Sequence, residues 1–219
     1  MKMSKSSIVI LDDHAVVRQG LARVINNQET MTVSASFQDG QGLLHYLQTE
    51  KPDLVISDLS LKDINGLELI KTLHFKYPEL HILVLSMHDE TMYADRVLKA
   101  GARGYIMKEK VTKELIKAIN TVLNNGIYTS EELSQKMLES SLRNKIVEDV
   151  STDKLLTDRE LEVLEYTGDG LTTEEIADKL MLGTKTIETY KTRIKEKLSL
   201  KNVNQLIKYA VEWRLKTRL

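Results

Sequence analysis

Ser7-Ile8-Val9-Ile10-Leu11-Asp12-Asp13 decides the fold: a short, unbroken apolar run that ends abruptly on two carboxylates. The pattern recurs along the first half of the chain. Asp53–Ser57 runs into Asp58, His81–Leu85 runs into Ser86, and the weaker run Gly104–Met107 ends in Lys108. The segments between these runs have helical periodicity, so the order reads β-α-β-α. Buried strands separated by crossover helices form a parallel sheet. In such a sheet all the carboxyl ends lie on one edge, which is where open α/β folds carry their sites. Residues far apart in sequence therefore converge into an acidic pocket with a hydroxyl and a lysine on its rim.

Outward from that stretch, five β/α units can be read. The strands are expected near 7–11, 31–37, 53–57, 80–85 and 104–107, and the helices near 14–27, 40–50, 65–76, 90–100 and 112–124. Asn124–Gly126 stops the last helix. The fold expected for residues 1–125 is a doubly wound α/β domain with a five-stranded parallel sheet. A polar linker, 126–154, follows, with one short amphipathic helix near 130–143 on the spine Leu133, Met137 and Leu138. Beyond residue 155 every segment reads helical. Thr157 with Glu160 makes a capping box, Asp169-Gly170 breaks the first helix, and Thr172 or Thr173 caps the second. Gly183 turns the chain, Thr184 caps a third helix to Leu198, and Asn202 opens a fourth ending near Trp213. Residues 155–219 are thus expected to be a small all-α domain of four helices with a helix-turn-helix at its centre.

Length and composition suit this division. The chain has 219 residues, 42% hydrophobic and 29% charged, enough for two ordinary domains with real cores. It has no cysteine, which excludes disulfides and thiolate metal sites. No stretch is long and apolar enough for a membrane span, and the start lacks a secretory signal, so cytoplasm is the expected location. The net charge of −1 hides a strong polarity. Residues 1–125 hold 15 basic and 15 acidic side chains, residues 155–182 hold 2 and 8, and residues 183–219 hold 10 and 3. A neutral domain followed by a sharply polarised one points to two tasks.

Asp12, Asp13 and Asp58 on one edge would repel each other unless a divalent cation sat among them. Oxygen-only ligands with no His or Cys favour Mg²⁺, which accepts one or two carboxylates plus phosphate oxygens. Lys108 supplies a point charge and Ser86 a hydroxyl suited to a phosphoryl oxygen. Each residue alone has a bland reading, as a cap, a loop carboxylate or a solvated lysine. All of them falling at strand ends in this order favours the functional one.

The segments Ile8–His14, Leu54–Leu59, Val84–His88 and Gly101–Glu109 resemble those of the receiver domain of two-component response regulators, a flavodoxin-like fold. The resemblance implies Asp58 as phosphoacceptor. It further implies Asp13 and Asp58 as Mg²⁺ carboxylates with Asp12 acting through water, and the Ser60 carbonyl as third protein ligand. Ser86 and Tyr105 would form the switch pair, and Lys108 would contact the phosphoryl group. Two positions depart from the family pattern. Leu61-Lys62 stands where Met-Pro is usual, with an expected effect on loop rigidity and none on chemistry. Met87 replaces a small residue and is expected to crowd the attacking water and slow dephosphorylation.

In the basic segment, Lys185, Lys191, Arg193, Lys195 and Lys197 share a helix with Ile187, Tyr190, Ile194 and Leu198 at core spacing. Lys185, Glu188, Thr189 and Thr192 can reach base edges, while Lys191 and Lys195 suit phosphates. Glu188 can accept from cytosine N4, which would make it a specificity residue. Leu156–Leu164, Glu174–Leu180 and Thr184–Lys191 resemble the LuxR-type helix-turn-helix, and its pairing with a receiver resembles the NarL/FixJ subfamily. The resemblance implies a sensor histidine kinase as donor, double-stranded promoter DNA with two half-sites, and a homodimer formed on phosphorylation. A phosphatase using Asp58 as catalytic nucleophile would need an Asp two residues later, where Ser60 stands. A stand-alone receiver is opposed by the helical C-terminal segment. The expected function is thus a phosphorylation-switched, DNA-binding transcription regulator, not a turnover enzyme.

Overall fold

The computed structural model describes residues 5–135 and 155–217, and the chain divides into two compact units between Met137 and Leu138. In the first, β1 (Ser6–Leu11), β2 (Met31–Phe37), β3 (Leu54–Asp58), β4 (His81–Ser86) and β5 (Gly104–Met107) alternate with helices. These are α1 (Ala15–Asn26), α2 (Gly40–Tyr46), α3 (Gly66–Lys76), α4 (Glu90–Lys99) and α5 (Val111–Leu123), the last entered through a 3₁₀ turn at Lys108–Lys110. The sheet is parallel, with order β2-β1-β3-β4-β5. Strand side chains alternate between faces. Ile8, Ile10, Leu54, Ile56, Leu83, Leu85 and Ile106 form one apolar cluster with Leu21 and Ile25 of α1 and Leu115, Ala118, Ile119 and Val122 of α5. Val9, Leu11, Val55 and Val84, on the opposite face, are also fully buried. Burial on both sides explains why these strands are continuously apolar.

Register sets the site. Leu11 pairs with Ser57 and Asp58 with Leu85, so Asp12 comes level with Asp58. Ser86 pairs with Met107, which brings Lys108 to the same edge. Helix starts are capped as their sequences suggest: the side chains of Asp39, Asn65 and Asp89 accept amides of the first turns of α2, α3 and α4.

In the first unit the structure differs from the sequence reading in two places. Helix α2 ends at Tyr46 and gives way to turns through Thr49. Pro52, unable to continue a helix, follows closely. The segment read as the start of the linker lies against the first unit. Tyr128 forms a parallel bridge with Gly104; its N–H donates to Arg103 O and its carbonyl accepts from Tyr105 N, each at 2.9 Å. Glu90 accepts the Ser130 N–H at 2.7 Å, and Leu133 is buried. Tyr128 is buried too, and burial together with the carboxylates of Glu114 and Glu90 pushes its phenol up to about 12. Residues 131–135 are helical; the rest of the helix expected to 143 lies outside the described residues.

The second unit contains α6 (Asp158–Gly168), α7 (Thr173–Leu180), α8 (Thr184–Lys197) and α9 (Val203–Thr217). Capping boxes open α6, from Thr157 and Glu160, and α7, from Thr172 and Glu175. Asn202 accepts the Gln205 N–H at 2.9 Å before α9, which runs past the expected end at Trp213. Thr184 is the first residue of α8 and does not cap it; Gly183 holds that position without a side-chain bond. The α7–α8 turn rests on Met181, in the left-handed region at φ 54°. Gly168 is required where α6 meets α9, because a Cβ there would lie 2.5 Å from Ala210 O. Leu161, Leu164, Ile176, Ile187, Ile194 and Leu206 supply the core.

Candidate functional site

Asp12 and Asp58, each with almost no exposure, and Asp13 follow β1 or end β3 on the carboxyl edge. Lys108 Nζ lies 2.7 Å from Asp12 Oδ2 and 2.8 Å from Asp58 Oδ2. Burial works against the lysine's charge, but the Asp58 carboxylate, its hydrogen bond to the ammonium and the neighbouring Asp12 carboxylate outweigh it and hold the ammonium above its ordinary pKa. Asp58 Oδ1 accepts the Ser60 N–H at 3.2 Å, which anchors the next loop to the carboxylate. Asp12 Oδ1 accepts the His14 N–H at 2.8 Å. Gly66 lets the start of α3 close over this loop, since any Cβ would overlap the Leu59 carbonyl.

Asp12, Asp13, His14 and Asp58 each place a ligand atom within 4.8 Å of the others. Asp12 Oδ2 and Asp13 Oδ1 are buried without a hydrogen bond of proper geometry, although Lys108 Nζ and His14 Nδ1 lie 2.7 and 2.6 Å away. Carboxylate oxygens in this arrangement fit a hard divalent cation. Burial pushes the Asp13 carboxyl up, but the Lys62 hydrogen bond and the charges of His14, Lys62 and Lys108 prevail and lower it.

Ser86 and Tyr105 are both buried. The Ser86 hydroxyl accepts the His88 N–H at 3.1 Å, and the Tyr105 hydroxyl donates to His88 O at 2.8 Å. His88 Nε2 lies 2.9 Å from Ser60 Oγ, so this histidine joins the two expected switch residues to the loop after Asp58. The sequence reading gave His88 and His14 no role and Lys62 an effect on loop rigidity alone. Lys62 Nζ sits 2.9 Å from Asp13 Oδ2, and Asp63 accepts the Gly40 N–H at 2.8 Å. The loop lacking proline is therefore tied on both sides, and its lysine pairs with Asp13. Met87 is exposed.

In the second unit, Lys185, Glu188, Thr189 and Thr192 of α8 are exposed and Lys195 is half-buried. Lys191, expected to face phosphates, is 8% exposed, and its ammonium donates to Thr173 Oγ1 at 2.7 Å. Lys197 Nζ lies 2.6 Å from Glu160 Oε2 and ties the end of α8 to the α6 capping box. Burial raises the Glu160 carboxyl, but the bonds from Lys197 and Thr157 outweigh it and lower it.

Residues 8–120 match the response regulator receiver domain family, and residues 154–210 match the luxR family of bacterial regulatory proteins. The oxygen regulatory protein NreC of Staphylococcus haemolyticus is 38% identical over 212 residues, covering 95% of this chain and 98% of its own. NreC of Staphylococcus epidermidis is 37% identical over 213 residues, with the same shares covered. Among solved structures, RcsB of Salmonella typhimurium aligns with a TM-score of 0.68 and 28% identity over 96% of this chain and 98% of its own. RcsB bound to promoter P1flhDC in the presence of the phosphomimetic BeF3- aligns with a TM-score of 0.65 and 26% identity over 95% and 100%. The chain belongs to the two-component response regulators of the NarL/FixJ type, a receiver domain followed by a LuxR-type helix-turn-helix.

Proposed function

We propose that Asp58 accepts a phosphoryl group from a partner sensor histidine kinase and that this controls promoter binding through the basic helix α8. One observation carries the reading: Asp12, Asp13, Asp58 and Lys108 converge on one sheet edge, with Lys108 Nζ 2.7 Å from Asp12 Oδ2 and 2.8 Å from Asp58 Oδ2. Asp58 is the nucleophile. Lys108 holds the carboxylate in place and balances the negative charge that gathers as the phosphoryl group arrives. Asp13 and Asp58, with the Ser60 carbonyl and with Asp12 acting through water, would hold Mg²⁺, which would neutralise phosphoryl oxygen charge. Ser86 donates to the phosphoryl group, and Tyr105, already packed inward against His88 O, completes the switch pair. An acyl phosphate donor is reactive enough that the pocket need only position and neutralise, so the chain acts as acceptor without turnover.

In the C-terminal unit, Lys185, Glu188, Thr189 and Thr192 reach base edges, Lys195 meets phosphate, and Lys191 acts from behind them. Homodimerisation is supported by a stripe on α9: Val203, Ile207, Val211 and Leu215 are all exposed and recur every four residues. A two-fold dimer would set two α8 helices on two half-sites. The receiver extends past residue 125 to take in the attached segment through Leu133, and the DNA-binding domain covers 155–219. No helix among the described residues is long and apolar enough to cross a membrane, in keeping with a cytoplasmic role. The test is Asp58→Asn, which keeps the shape and removes the nucleophile. With acetyl phosphate and Mg²⁺, intact-mass spectrometry should find one phosphoryl group on the wild type and none on the variant. Phosphorylation of the variant would put the acceptor elsewhere.

A further inference from the structure

We propose that Thr173 is a positioning residue for base readout: its hydroxyl, held by Lys191, orients the carboxylate of Glu188 toward cytosine. The proposal rests on the reading of α8 as the recognition helix with Glu188 at the base edges. Thr173 is the first residue of α7, beside the cap residue Thr172, and it makes two contacts to α8. Lys191 Nζ donates to Thr173 Oγ1 at 2.7 Å, and Thr173 Oγ1 donates to Glu188 Oε1 at 2.8 Å. A hydroxyl has one proton and two lone pairs, so it can serve both bonds at once. Glu188 and Lys191 are three residues apart, on one face of α8, and Thr173 reaches both from the neighbouring helix.

Lys191 is nine-tenths buried in the seam between these helices, a costly place for an ammonium that did no more than decorate a basic face. Donation from a charged group makes the Thr173 hydroxyl a stronger donor in turn. Three consequences follow for Glu188. One carboxylate oxygen is fixed while the other remains free to accept from cytosine N4. The side chain loses its rotamer freedom before DNA arrives, so less ordering is left for binding. The ammonium behind the hydroxyl offsets the repulsion a lone carboxylate would meet among DNA phosphates.

The full-length protein, phosphorylated with acetyl phosphate, would be used to select preferred sites from a randomised DNA library. Thr173→Val, Thr173→Ser, Lys191→Met and Glu188→Ala would be compared with the wild type. Thr173→Val and Lys191→Met should relax cytosine preference by about three- to tenfold at the same base position that Glu188→Ala relaxes, as expected for one discriminating hydrogen bond. Binding to unrelated DNA should change by no more than about twofold for Thr173→Val, because no phosphate contact is lost. Thr173→Ser should retain the preference. If Glu188→Ala alters the selected motif while Thr173→Val and Lys191→Met leave it intact, the relay is overturned and Glu188 keeps its role. If Glu188→Ala leaves the motif unaltered, both fall. Uniform weakening with an unchanged motif would make Thr173 merely structural. Should Thr173→Val fail to fold, Lys191→Met decides by the same column of the motif.

Discussion

At Lys62 a departure from the family pattern changes the electrostatics of the pocket. Its ammonium lies 2.9 Å from Asp13 Oδ2, so it competes with any cation that approaches this carboxylate. The lysine is largely exposed and screened by solvent, so the pair is worth at most about 1 kcal/mol. Lys62→Ala should therefore tighten Mg²⁺ binding by roughly two- to fivefold, read from displacement of Mn²⁺ in a paramagnetic-resonance titration. Unchanged affinity would mean that the ammonium leaves Asp13 without cost. Asp12, Asp13, Asp58 and Lys108 were legible in the sequence because strand ends in a parallel sheet share an edge, and register then brings them together. Lys62, His14 and His88 were not. Their contacts depend on how loops fold back, and no periodicity encodes that. The ammonium of Lys191 was misjudged for a related reason: helical spacing gives the face a residue occupies but not whether a neighbouring helix covers it.

At the level of elements, the first helix of the DNA-binding domain is held by one carboxylate with two tasks. Glu160 completes the α6 capping box and receives Lys197 from the far end of α8. Its pKa in the folded chain lies below the unfolded value, so the folded state favours the ionised form. That stability is fully present above the unfolded carboxylate pKa of about 4.3 and is lost as pH falls through the folded value. Glu160→Gln should cost about 1–2 kcal/mol at neutral pH and flatten the loss of domain stability below pH ~4. Thermal unfolding followed by fluorescence of Trp213, the chain's single tryptophan, would measure both. A variant as acid-sensitive as the wild type would assign the effect to another carboxylate. The capping box was readable from Thr157 and Glu160 because its residues are local; the reach from Lys197 was not, because it crosses between helices.

For the whole molecule, the apolar stripe on α9 and the pocket around Asp58 belong to different units, and the proposed function makes both serve one output. Ile207→Lys, near the middle of the stripe, should leave phosphorylation at Asp58 unaffected. It should reduce tight binding to a two-half-site promoter to the level of single-site binding, with loss of the larger species in sedimentation. A variant that still dimerises would place the contact on another surface. The two-domain division was visible in composition, whereas the attachment of Tyr128 to the first domain was not, since one tyrosine in a polar stretch carries no strand signal. That attachment provides a clock. The amide of Tyr105 donates to the Tyr128 carbonyl, so its hydrogen can exchange with solvent only when the chain beyond α5 lifts away. Deuterium uptake at this one amide, which belongs to a residue of the proposed switch pair, should time each detachment and show whether phosphorylation at Asp58 lengthens or shortens the interval. Uptake as fast as in an unstructured peptide would mean that the bridge does not persist in solution.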